Sequence, residues 1–160
     1  MADDDDDDDS PARLLLIVTG STPRAEDVDR PLAYYLKREV EGQAAGLDPP
    51  ADPPFKVLVV ADFRWLNDEP LQRLPTISVG GPGVNALAGQ WVEEELEFSL
   101  AVESQYYIQM DPDLDSLRAS IWGMDNPTTQ IAVSVFLKRF LPRFLRRAAD
   151  EEPVDLDEAE

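Results

Sequence analysis

The stretch Leu14-Leu15-Leu16-Ile17-Val18-Thr19-Gly20-Ser21-Thr22 sets a continuous apolar run against a cluster of small polar residues. An apolar run without alternation fits a strand covered on both faces, the usual condition in a parallel sheet, and the polar cluster that ends it reads as a turn. Such a strand needs helices to cover it, so the next segment is expected to be helical. Pro31 suits a first helical turn, and Leu32, Tyr35, Leu36 and Val40 recur at helical spacing, with Gly42 and Gly46 near the exit.

The same unit returns twice. After a proline-rich loop at 47–54, Val57-Leu58-Val59-Val60 reads as a second buried strand ending near Asp62, and the mixed segment 64–74 has room for a short helix. Thr76-Ile77-Ser78-Val79 is the third. It runs into Gly80-Gly81-Pro82-Gly83 and then a helix over 84–95 with Val84, Leu87, Ala88, Trp91 and Val92 on one face. Residues 98–110 change character: Phe98, Leu100, Val102, Tyr106, Ile108 and Met110 alternate with Ser99, Glu103, Gln105 and Gln109, as in a hairpin or long strand with one wet face. A last short strand at 119–122 precedes a helix over 128–147 that turns Ile131, Val135, Phe136, Phe140 and Phe144 inward and kinks at Pro142. Together these patterns predict an α/β domain with three layers. Its mostly parallel sheet has about five strands, with helices on both faces and one amphipathic strand or hairpin at the edge.

Composition limits the chemistry. The 160 residues carry a net charge of −19 and include no His and no Cys. Nucleophilic Cys, Ser-His-Asp relays, His-ligated zinc and disulfide scaffolds are therefore excluded. The charge sits at the ends: the body carries −5, while residues 3–9 and 150–160 together carry −14. One domain over 11–149, flanked by disordered acidic tails at 1–10 and 150–160, is the expected organisation. The acidic start lacks the positive region of a secretory signal and no apolar run is long enough to span a bilayer, so a cytoplasmic location is expected.

In a parallel sheet, ligands bind outside the carboxyl ends of the strands. The loops expected there hold Thr19, Gly20, Ser21, Thr22 and Arg24; Asp62; Gly80, Gly81, Gly83 and Asn85; and Gly123, Asp125 and Thr128. Hydroxyls, glycine-flanked amides at a helix start and one Arg suit an anion such as phosphate, and Asp62 stands where a ribose hydroxyl is often held. The same residues also serve as ordinary turns and helix caps. Neither nucleotide-binding glycine pattern is present, since Gly81 and Gly83 are followed by Ala86 where a third glycine belongs. The acids at 93–97 and Asp111, Asp113 and Asp115 read as a solvated surface, with no metal site and no cofactor identified.

Two linked segments, Ile77-Ser78-Val79-Gly80-Gly81-Pro82-Gly83-Val84-Asn85 and Ile121-Trp122-Gly123-Met124-Asp125 with Thr128 and Thr129, carry a resemblance. Their order and spacing resemble the Rossmann-like domains of archaeal S-layer proteins, where one strand enters a GGP-x-x-N-like turn and a later one enters a G-x-D-x-x-x-T turn before a closing helix. The resemblance runs from the third strand to the last helix. It implies a Rossmann-like architecture, with Asn85 and Asp125 as loop-stabilising residues.

The resulting functional expectation is a non-catalytic α/β interaction or ligand-sensing domain. Its partner would be a basic protein or an anionic small molecule, bound at the carboxyl-end crevice. One alternative is an enzyme acting on a phosphorylated or nucleotide-like small molecule, with Asp62 or Asp125 as its acid–base group. Another is an assembly component pairing through the edge strand, which would make the chain an oligomer. Lys138, Arg139, Arg143, Arg146 and Arg147 cluster near the end of the last helix, where they suit the helix dipole or the acidic tail. The acidic balance disfavours nucleic acid and membrane surfaces.

Overall fold

A computed structural model describes residues 12–94, 99–103 and 106–151. The chain forms an α/β domain around a six-stranded sheet in the order β2-β1-β3-β6-β5-β4. The strands are β1 (Arg13–Thr19), β2 (Phe55–Ala61), β3 (Thr76–Val79), β4 (Ser99–Glu103), β5 (Tyr106–Met110) and β6 (Arg118–Gly123). The first four strands across the sheet are parallel, and β5 and β4 complete it as an antiparallel hairpin. The sheet thus has one strand more than expected, because the alternating segment contributes two antiparallel strands, β4 and β5.

β1 shows why its sequence is apolar throughout. Leu15 and Ile17 join one buried cluster, while Leu16 and Val18 join another. The first cluster draws on α1 (Arg30–Ala45), α4 (Asn126–Val135) and α5 (Leu141–Asp150). The second draws on α2 (Asp62–Leu66), a 3-10 turn at Glu69–Arg73 and α3 (Ala86–Glu94). Trp65 and Trp91 meet edge to face in the second cluster, with ring centroids 5.6 Å apart.

Leu36, Val40, Phe136 and Phe144 are buried as expected, but a few positions on these faces differ. In α1 the buried residues are Ala33, Leu36 and Val40, whereas Tyr35 is 39% exposed. A five-residue π segment, Ala25–Asp29, precedes α1. Ile131, expected inside, is 48% exposed, and Thr129, Ala132 and Val133 take the core face of α4. Val84 precedes α3 in a turn, and the side chain of Val92 lies outside what is described. Gln109, expected on the wet face of the hairpin, is buried because its amide Nε2 donates to the Trp91 carbonyl at 3.1 Å.

The helix break comes earlier than Pro142. A π segment, Phe136–Phe140, separates α4 from α5, and the Leu141 N–H donates to the Phe136 carbonyl five residues back. Pro142 lacks an N–H and its ring crowds the carbonyl four residues before it, so widening the preceding turn relieves both problems. Proline then occupies the first turn of α5, where it is tolerated. α5 runs through Asp150, and the Glu151 N–H bonds to the Ala148 carbonyl, so the folded body reaches past the expected boundary at 149. The tail expected at 1–10, and all but the first two residues of the one expected at 150–160, lie outside the described residues. Among the described residues, no helix is long and apolar enough to cross a membrane.

Candidate functional site

The parallel pairings bring Thr19, Ala61, Val79 and Ile121 to one end of the sheet. The strand order reverses between β1 and β3, so the loops after these strands part there and leave a crevice. The two loops also touch. A Cβ on Gly20 would overlap the Val84 carbonyl oxygen, so this approach of backbone to backbone admits only glycine. Gly80 has φ +108°, and a Cβ there would lie 2.7 Å from Asp29 Oδ2.

Most of the polar residues expected to meet a ligand instead hold the protein's own amides. Asp62 is buried: Oδ1 accepts from the Ser21 hydroxyl at 2.8 Å and the Phe63 N–H at 2.7 Å, and Oδ2 accepts from the Ala86 N–H at 2.8 Å. Fully buried Asn85 accepts from the Leu87 and Ala88 N–H groups and donates to Ser78 Oγ and the Val79 carbonyl, both at 3.0 Å. Three amides at the start of α3 are thus occupied by side-chain oxygens, leaving them unable to hold a phosphate. Asp62 is a cross-link between three loops.

The other helix starts are closed in the same way. Thr22 Oγ1 accepts from the Ala25 N–H at 3.2 Å. Asp125 and Thr128 form a reciprocal capping box at α4, in which Asp125 Oδ1 accepts from the Thr128 N–H at 2.9 Å. That N–H and the Thr128 hydroxyl hold the exposed Asp125 carboxyl below its usual range. Gly123 lies against Thr128, where a Cβ would overlap the threonine hydroxyl, and its N–H donates to Thr129 Oγ1. Thr19 is fully buried in β1, and its hydroxyl has no partner among the described residues.

What remains open is a cavity of about 270 Å³ among the loops after β3 and β6 and the start of α1. It brings together Arg24, Gly81, Gly83, Gly123 and Asp125 from the expected set, and leaves Thr19, Gly20, Ser21, Thr22, Asp62, Gly80, Asn85 and Thr128 outside its wall. The indole of Trp122, stacked on Tyr107 with centroids 5.1 Å apart, forms part of the lining.

Asp29 also lines this cavity, and sequence reasoning missed it. Its side chain is only 7% exposed and makes no capping bond although it precedes α1. Burial pushes its carboxyl above the usual range, and the Arg24 guanidinium opposes that effect without cancelling it. An aspartate two residues before a proline reads as a helix cap, so no local signal distinguished it.

Among the described residues, no group of three or more acidic, His or Cys side chains is placed to hold a metal ion. Asp111 instead turns inward on its own loop, accepting from the N–H groups of Asp113, Asp115 and Ser116 at 3.0 Å each. No known protein family, curated protein or solved structure matches the chain.

Proposed function

We propose that the chain is a three-layer Rossmann-like domain that binds a small polar molecule in the carboxyl-end crevice without transforming it, as a cytoplasmic sensing or interaction module. The observation that carries this reading is Asp29, a buried carboxyl without a capping bond, on the wall of an open cavity that also holds Arg24. A desolvated carboxyl is costly unless something pairs with it, and a ligand donor is the natural partner at a strand-order reversal. The charges favour a ligand with an amine or hydroxyl donor for Asp29 and an anionic group for Arg24, its apolar part lying on Trp122. A zwitterion of amino-acid size fits that pattern better than a phosphate, because the helix-start amides are already capped.

The enzymatic alternative keeps one specific support, the upward shift of the Asp29 carboxyl. Proton transfer would then fall to Asp29, since both oxygens of Asp62 and the Oδ1 of Asp125 already accept bonds from the protein. A thermal-shift screen of the full chain against zwitterionic and phosphorylated small molecules tests both readings. Ligand at a hundred times its Kd should add about 2.7 kcal/mol of stability, and Asp29→Asn should remove the shift. A melting temperature unmoved by every zwitterion would defeat the binding reading. A ligand consumed on incubation would replace it with the enzymatic one.

A further inference from the structure

At the opposite end of the sheet, by the amino ends of β1 and β6, lies a cavity of about 340 Å³ that no expectation from the sequence had marked. Arg13, Arg73 and Arg118 line it, and Leu14, Leu74 and Leu117 supply apolar wall. Its two acids, Asp115 and Glu151, both pair with Arg147, at 3.7 and 3.1 Å. Among the described residues, none of the three lining arginines has a carboxylate at ion-pair distance.

Their present partners are weaker acceptors. Arg13 donates to the carbonyls of Asp52, Ala148 and Glu151, while its buried Nε has no partner among the described residues. Arg118 donates to the Gln72 carbonyl at 3.3 Å and lies over the rings of Trp65 and Trp91, 5.2 and 5.5 Å from their centroids. A guanidinium forks most strongly onto a carboxylate, so three of them beside an apolar wall describe a receptor for an acidic and partly apolar peptide.

We propose that this cavity is a carboxylate-binding site and that its occupant is the chain's own segment 152–158. Arg13 ties down the carbonyl of Glu151, the last described residue and itself part of the cavity wall, so the chain continues from the rim. The next residues read Glu152-Pro153-Val154-Asp155-Leu156-Asp157-Glu158. In an extended segment alternate side chains face opposite ways, which sets Val154 and Leu156 against Asp155 and Asp157. That segment thus offers both apolar and anionic side chains to a cavity lined by leucines and arginines. At roughly 3.3 Å per residue, Asp155 and Asp157 can reach up to about 13 and 20 Å from Glu151, and Arg73 and Arg118 line the same cavity as Glu151. The aspartate run at 3–9 has charge to offer but no apolar side chain for the leucine wall.

The absence of Cys makes the test direct, because one introduced thiol takes a spin label uniquely. With the label at Ala159→Cys in the full chain, the amide signals of Leu74 and of Ser116 through Arg118 should lose most of their intensity. Those of Met124 and Asp125 at the far end should be untouched. Arg73 is exposed, so Arg73→Glu should keep the fold, seen as an unchanged spectrum elsewhere, and should restore the lost signals. Adding Asp155→Lys and Asp157→Lys to Arg73→Glu should bring the broadening back. Equal broadening at both ends of the sheet, or broadening indifferent to Arg73→Glu, overturns the proposal. So does broadening of the same amides by a label at Ala2→Cys but not at Ala159→Cys, which would assign the cavity to the N-terminal aspartates.

Discussion

The two ends of this sheet are built from opposite surpluses. At the carboxyl end, acceptor side chains meet the protein's own amides one by one, until Asp29 is the carboxyl left facing a cavity. At the amino end, Arg13 and Arg118 meet carbonyls and rings, and neither they nor Arg73 meets a carboxylate among the described residues. Residues rich in hydrogen-bonding capacity are therefore poor markers of a site here. What marks a site is the capacity that folding leaves unused.

The firmest way to break this comparison is at the loop contact that shapes the crevice. Gly20→Ala should cost more than about 3 kcal/mol, because the colliding atom is backbone and cannot rotate away; urea unfolding reads the loss directly. If the variant is near-native in stability, the loops are not locked and the crevice is not preformed. Next comes Asn85→Ala, which removes an amide oxygen that accepts two hydrogen bonds and an amide nitrogen that donates to Ser78 and Val79 at a fully buried position, and should cost roughly 2–4 kcal/mol in the same assay.

Asp29→Asn sharpens the contrast by having the opposite sign. The folded state holds the Asp29 proton more tightly than the unfolded chain does, so it binds more protons between the two titrations and stability falls as pH rises through that window. Removing the charge should stabilise the protein by about 1 kcal/mol at neutral pH, the scale of single favourable changes. The gain should vanish in acid, where both forms are neutral. A destabilised variant at neutral pH would mean that Arg24 compensates the carboxyl fully and that no unused capacity exists.

The smallest effect belongs to Asp125→Ala. Its folded carboxyl titrates below the usual range, so the stability from the cap is complete above the unfolded value and is lost as pH falls through the folded one. A modest fall in melting temperature should appear at neutral pH and disappear in strong acid. A fall that persists there would show that Asp125 acts other than as a charged cap.

Much of the fold could be read residue by residue. The unbroken run in β1 meant two covered faces, and the alternation at 98–110 meant a hairpin or a long strand at one edge, where β5 and β4 lie. The misreadings have local causes. Spacing alone puts Tyr35 and Ile131 on core faces, but Ala33 takes the buried place beside Leu36 and Val40 in α1, and Ala132 with Val133 fills the space under α4. Gln109 looked like a solvent residue until the Trp91 carbonyl was seen to need a donor. The crevice was legible in position and not in content: Arg24, Gly81, Gly83, Gly123 and Asp125 do line it, while Asp62 and Asn85 turn inward.

The sequence by itself determined the strand–helix alternation, the glycine turns and the concentration of acid at both ends, because periodicity, backbone freedom and charge are properties of neighbouring residues. Only the tertiary structure decided which polar groups remain without partners. Asp29 is separated by fifty-one residues from Gly80, whose backbone lies against it, and Arg13 by 105 residues from Arg118 on the same cavity wall. Whether a carboxyl caps an amide or waits for a ligand depends on what the rest of the chain brings within 3 Å of it, and no local pattern records that distance.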